Sequence, residues 1–126
     1  MTTVIVAHRH LMVRQCLEFR LGQERDFRVV GATDRLEDVP GLLRNSSADV
    51  LLLDLGLAGD QLEALLDLSR RRPKPRLLVL GEDFDEEQRK QYLCAGVQYL
   101  IAESDGLEAL LVLIRKLAAD TSSSSP

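Results

Sequence analysis

A chain of 126 residues that is 45% hydrophobic and 29% charged is long enough to bury one continuous apolar core, and this composition excludes wholesale disorder. A net charge of −4 argues against direct nucleic-acid contact by this domain, because that affinity rests on clustered excess Lys and Arg. No apolar run approaches the ~20 residues that span a bilayer, and the opening residues carry no basic segment leading into a long apolar one; no membrane attachment and a cytoplasmic location are expected.

Apolar runs of about five residues alternate with longer amphipathic stretches, the pattern of a parallel sheet with helices on both faces. A strand is expected over Thr3–Ala7, then a helix over 10–23 and a strand over Phe27–Ala32. The helical segment 35–45 contains Pro40, whose missing amide donor confines it to a short or irregular piece. A strand over Asp49–Leu55 and a helix over 60–72 follow, then a strand over Arg76–Leu80 and a helix over 84–95. Gly96 stands where that helix wants a left-handed C-terminal residue, before a strand over Val97–Ile101. The last helix is expected over 105–119, with Ser104 accepting from its free amides. Right-handed crossovers then give a doubly wound five-stranded parallel sheet flanked by five helices.

In the last helix, Leu107, Leu110, Leu111, Ile114, Leu117 and Ala118 share one face, as core packing requires. Ala109, Val112 and Leu113 point the other way and are a candidate dimer face, weighed against the ordinary scatter of exposed apolar residues. Cys16 and Cys94 lie far apart with no second Cys beside either, so neither zinc spacing nor a redox pair can be drawn. Both are expected as small buried hydrophobes. The basic run Arg70-Arg71-Arg72-Pro73-Lys74-Pro75-Arg76 falls at a helix end, where cations complement the macrodipole and proline stops the helix. Residues 1–119 form the domain, and 120–126, ending in Ser122-Ser123-Ser124-Ser125-Pro126, read as a tail or the start of a linker.

With strand order 2-1-3-4-5, a ligand crevice opens beyond the carboxyl ends of the first and third strands. It would be lined by His8, Arg9 and His10, by Asp54 to Gly56, and by Gly81 to Asp83. Asp54 ends the run Val50-Leu51-Leu52-Leu53-Asp54, where a buried strand would meet solvent. No glycine-rich amide cradle for a nucleotide is present. His8 and His10 would ligate a transition metal only with further donors that the sequence does not obviously supply.

Several segments, in order along residues 2–119, carry a resemblance: Val4-Ile5-Val6-Ala7 before His10 and Val13-Arg14; Phe27-Arg28-Val29-Val30-Gly31; Ala48-Asp49-Val50-Leu51-Leu52-Leu53-Asp54-Leu55; Leu62-Glu63-Ala64-Leu65; Arg76-Leu77-Leu78-Val79-Leu80; and Ala95-Gly96-Val97 before Tyr99-Leu100. The chain resembles the receiver domains of two-component response regulators, especially those that precede a LuxR-type helix-turn-helix DNA-binding domain. The resemblance implies a flavodoxin-like fold with sheet order 2-1-3-4-5, Asp54 as phosphoacceptor, a histidine kinase partner, and Tyr99 as the aromatic that responds to phosphorylation. It also implies two acidic residues holding Mg²⁺, a Ser or Thr, and a Lys.

Those positions read differently here. The acidic pair falls on His8 and Arg9, the hydroxyl on Gly81, and the lysine on Ala102, or on Glu103 if counted from Gly96. One-residue deletions are expected before the fifth strand and within Gly56-Leu57-Ala58-Gly59-Asp60-Gln61. A carboxylate attacking a phosphoryl group needs a hard cation and a lysine to offset charge; without them no catalytic residue and no bound metal or other cofactor are expected, and Arg9 pairs with Asp54 in the cation's stead. Gly81 would leave an empty space beside Tyr99. The expectation is a degenerate, non-enzymatic receiver acting through protein contact: a homodimer controlling a C-terminal DNA-binding output domain beyond residue 126. The alternatives are a working phosphoacceptor and a pocket that senses a small molecule through His8 and Arg9.

Overall fold

The computed structural model describes residues 1–58 and 76–123, together with Asp67 and Arg70. The strands are β1 (Thr2–Ala7), β2 (Phe27–Thr33), β3 (Val50–Asp54), β4 (Arg76–Gly81) and β5 (Tyr99–Ala102). The helices are α1 (Leu11–Gly22), α2 (Val39–Ser46), a single turn α3 (Leu55–Ala58), α4 (Glu86–Cys94) and α5 (Gly106–Ser123). All strand pairs are parallel, in the order β2-β1-β3-β4-β5, the receiver topology expected from sequence. Most of the predicted helix over 60–72, most of the basic run 70–76 and residues 59–61 of the segment 56–61 in which a deletion is expected lie outside the described residues. Among the described residues no helix is long and apolar enough to cross a membrane.

The continuous apolar strands resolve into two faces by simple alternation. Val4, Val6, Val50, Leu52, Leu78, Leu80 and Ile101 point to one side, where Leu17 and Leu21 of α1 and Leu110, Leu111, Ile114 and Leu117 of α5 cover them. Ile5, Ala7, Leu51, Leu53, Leu77, Val79 and Leu100 point to the other, beneath Val39 and Leu43 of α2 and Tyr92 of α4. Each such side chain contributes roughly 1.5–3 kcal/mol on burial. The sheet is therefore rigid, and its C-terminal edge holds the loops in fixed positions.

Local chemistry sets the element ends. Pro40 sits in the first turn of α2, which is only eight residues long and follows a 3₁₀ turn at Leu36–Asp38. After α4, Gly96 takes φ 108°; its amide donates to Leu93 O and that of Val97 to Tyr92 O, a Schellman closure. That closure uses Val97, and the Gln98 amide bonds Leu77 O, so β5 starts two residues later than the apolar pattern suggests. Ser104 is not the cap it was expected to be. Residues 103–105 form a 3₁₀ turn, and the Asp105 carboxylate accepts from the Ala102 amide at 3.1 Å. The last helix runs on to Ser123, because a packed helix propagates into serines that carry no breaker.

Three burial expectations are corrected. Cys16 and Cys94 are both exposed: Cys16 shares the outer face of α1 with Met12 and Phe19 at helical spacing, and Cys94 lies on the last turn of α4. Ala109 and Leu113 are partly buried against the core, leaving Val112, at 51% exposure, as the large apolar side chain that α5 turns to solvent. The apolar arc of α5 is therefore wider than the predicted stripe.

Arg115 ties α5 to the segment between α1 and β2. Its guanidinium donates to Asp26 at 2.8 Å and to Glu24 at 2.8 Å, and it lies 4.9 Å above the Phe27 ring. Hydrogen bonds from Arg115 hold both carboxylates below their ordinary values of 4.5 and 3.8. A depressed carboxylate pKa adds stability that is present above the unfolded value and lost as pH falls through the folded one. Urea midpoints should therefore drop on acidification below about pH 4, and Arg115→Ala should flatten that acid limb.

Candidate functional site

The ends of β1, β3 and β4 enclose an open cleft of about 450 Å³ lined by Arg9, Asp54, Leu55, Gly56, Gly81, Glu82, Asp83 and Gln88. Because β1 and β3 are neighbours whose connections leave to opposite faces, this is the switch point where ligands collect on such sheets. Asp54 is not at the solvent boundary its position suggested. It is 2% exposed, because Arg9 closes over it.

Every oxygen of that carboxylate is occupied. Oδ1 accepts from the Gly56 amide at 3.0 Å, and Oδ2 accepts from the Arg9 amide at 3.2 Å. The Arg9 side chain, 42% exposed, brings Nε to 3.3 Å from Oδ2. An ion pair with a partner this exposed is worth no more than about 1 kcal/mol, whereas hydrogen bonds to a charged acceptor are worth roughly 1.5–3 kcal/mol each. The two amides therefore dominate, and they depend on the turn geometry after β1 and β3.

His8 is buried, at 1% exposure, beside this pair. Its Nδ1 accepts from the His10 amide at 3.1 Å, which leaves the ring proton on Nε2, facing Glu103 Oε1 at 3.4 Å. The ring thus bridges the end of β1 to the turn after β5. Nδ1 also lies 3.7 Å from Asp54 Oδ2, and His8, Asp54 and Glu103 present ligand atoms within 4.8 Å of one another. Sequence reasoning missed Glu103 as the third member, since nothing local links it to His8. His10 does not join the cluster.

The divalent cation that the resemblance implies does not fit these residues. Asp54 already has its donors, a guanidinium stands where a second carboxylate would be needed, and a ring accepting at Nδ1 must keep its Nε2 proton to remain a neutral imidazole. Among the described residues, no buried side-chain nitrogen or oxygen lacks a hydrogen-bond partner.

Two glycines shape the cleft. A Cβ on Gly56 would run into the Arg9 guanidinium, and a Cβ on Gly81 would lie 2.6 Å from Phe84 Cζ. The empty space expected beside Gly81 is therefore filled by the Phe84 ring. Tyr99 is half-buried and packs against the α1–α5 side of the core, whereas Phe84 packs on the α2–α4 side. Ala102 pairs with Gly81 across β4 and β5 but lines a separate apolar hollow of about 230 Å³ with Val13, Leu17, Leu80, Leu107 and Leu110. The structure thus brings His8, Arg9, Asp54, Gly56 and Gly81 together and leaves Tyr99 and Ala102 outside the cleft wall. Phe84 could have been suspected from its place as the lone apolar residue in Glu82-Asp83-Phe84-Asp85-Glu86-Glu87.

No protein-family model matches the chain. It is 33% identical over 111 residues to the transcriptional regulatory protein LiaR of Bacillus subtilis, covering 86% of this chain and 52% of that protein. It is 33% identical over 85 residues to a protein-glutamate methylesterase/protein-glutamine glutaminase of Paramagnetospirillum magneticum, covering 67% of this chain and 24% of that protein. The chain therefore spans about half the length, or less, of these two curated relatives. Among solved structures, a LuxR-family DNA-binding response regulator from Staphylococcus aureus superposes with a TM-score of 0.82 at 20% identity, over 93% of this chain and 98% of that one.

Truncating Asp54 should be costly for a residue at a strand end. Asp54→Ala strands the Gly56 and Arg9 amides and is expected to lower the unfolding free energy by about 1–3 kcal/mol in urea titrations.

Proposed function

Because this chain is a receiver domain of the two-component response-regulator family, we propose that it is a non-enzymatic signalling module that works without Mg²⁺-dependent phosphorylation. It acts in the cytoplasm through protein contact, as a homodimer that controls a DNA-binding output domain and hence transcription. The engagement of Asp54 by the chain's own amides and by Arg9 carries this reading. A carboxylate that attacks phosphorus must present a free lone pair in line with the leaving group, while cations offset charge on the transferring oxygens. Here each oxygen already accepts one backbone hydrogen bond and a guanidinium lies against Oδ2, and the hydroxyl and lysine places hold Gly81 and Ala102, with Glu103 adding negative charge. The transcriptional assignment is supported by the regulatory relative LiaR.

The dimer reading shifts from α5 to α1. Met12 is 82% exposed and Phe19 69%, with Leu11 and Cys16 also open to solvent. Beside them runs an apolar hollow of about 240 Å³ lined by Met12, Val13, Cys16, Leu17 and Leu107. A projecting Met next to a hollow on one face suits an isologous two-fold contact, in which each subunit's knob enters the other's recess. Val112 stands apart on α5.

Intact-mass analysis after incubation with Mg²⁺ and a small phosphodonor should show no adduct; an acid-labile gain of one phosphoryl group, absent from Asp54→Ala, would show a working acceptor instead. In sedimentation equilibrium, Met12→Glu and Phe19→Glu should shift the protein to monomer while Val112→Glu leaves the dimer intact. Loss of association in Val112→Glu alone would place the contact on α5.

A further inference from the structure

Apart from the Asp54 cleft, the α1–α5 side of the sheet leaves a second concavity unfilled. Its walls are aliphatic and come from three elements: Val13 and Leu17 of α1, Leu80 of β4, and Leu107 and Leu110 of α5, around a space of about 230 Å³. Position 102 in the lining is only Ala, and Gly106 at the start of α5 has open space where a Cβ would stand; neither sends a long side chain into the hollow. Among the described lining residues, Glu103 alone is charged. Its side chain keeps 40% exposure while Oε1 rests 3.4 Å from His8 Nε2, so a carboxylate is fixed at the boundary between apolar walls and solvent. Asp105 in the same turn and Glu108 in the first turn of α5 add charge of the same sign. The two arginines of α1 are already engaged: Arg14 donates to the His8 carbonyl at 3.1 Å, and Arg20 to Glu108 at 2.8 Å.

We propose that this hollow is a binding site for a small amphiphilic amine, whose apolar body lies between α1 and α5 and whose cationic group meets Glu103. Size sets the body. An apolar cavity of about 150 Å³ takes up benzene, and drug-sized ligands occupy roughly 300–1,000 Å³, so the space fits an aromatic ring with a short side chain and little more. Charge sets the head group. A cation at a part-exposed carboxylate gains a partner without leaving water entirely, whereas an anion there would be both repelled and dehydrated. The site lies apart from the cleft and does not require Asp54 to be unreactive.

Titration of the ¹³C-methyl-labelled protein with 2-phenylethylamine, 2-phenylethanol and 3-phenylpropionate tests both parts. The amine should shift the methyl resonances of Leu80, Leu107 and Leu110 and, at about tenfold excess over its Kd, raise Tm by about 4 °C. The neutral alcohol should bind about tenfold more weakly and the carboxylate more weakly still. Glu103→Gln, which keeps an acceptor for His8 Nε2, should bring the amine down to the affinity of the alcohol. Val13→Phe, which fills the hollow from its α1 wall, should abolish the shifts for all three probes. Equal affinity of the three, an amine affinity unchanged in Glu103→Gln, or shifts confined to the Met12 methyl on the outer face of α1 would overturn the proposal, as would the absence of any methyl shift at millimolar amine.

Discussion

One buried negative charge governs the C-terminal edge of this sheet. An unpaired carboxylate at the depth of Asp54 would cost several kcal/mol of desolvation, comparable to a large share of the stability of a small domain. The fold meets that cost with two backbone amides and a guanidinium drawn from the turns after β1 and β3. Because the amides carry most of the stabilisation, the arrangement depends on backbone geometry, and the apolar strands beneath hold that geometry rigid.

The same charge ties the strand ends to one another. Asp54 joins β3 to Arg9 in the turn after β1, and His8 carries the connection from β1 to Glu103 beyond β5. The His10 amide that bonds His8 belongs to the residue capping α1, and α1 bears the exposed Met12 and Phe19. Arg9 of the pocket and Met12 of the outer apolar face are thus separated by two residues of chain.

Two glycines at the strand ends each leave room for one neighbouring side chain. Arg9 fits because position 56 is Gly, and Phe84 fits because position 81 is Gly. The hydroxyl place was anticipated as a void beside Tyr99, yet the ring that fills it comes from three residues further along the chain and from the opposite face of the sheet.

Strand order, the crevice between β1 and β3, the short α2 and the Gly96 turn were all legible in the sequence. They follow from apolar periodicity, crossover handedness and cap chemistry, which act between near neighbours. The convergence of His8, Arg9, Asp54 and Gly56 was legible too, because strand ends in this topology meet at a known edge. The burial of Asp54, the reach of Glu103 to His8, the seat of Phe84 and the exposure of Cys16 and Cys94 were decided only by tertiary folding. Each depends on where a side chain from a distant segment comes to rest, and close packing of fixed elements settles that placement in three dimensions.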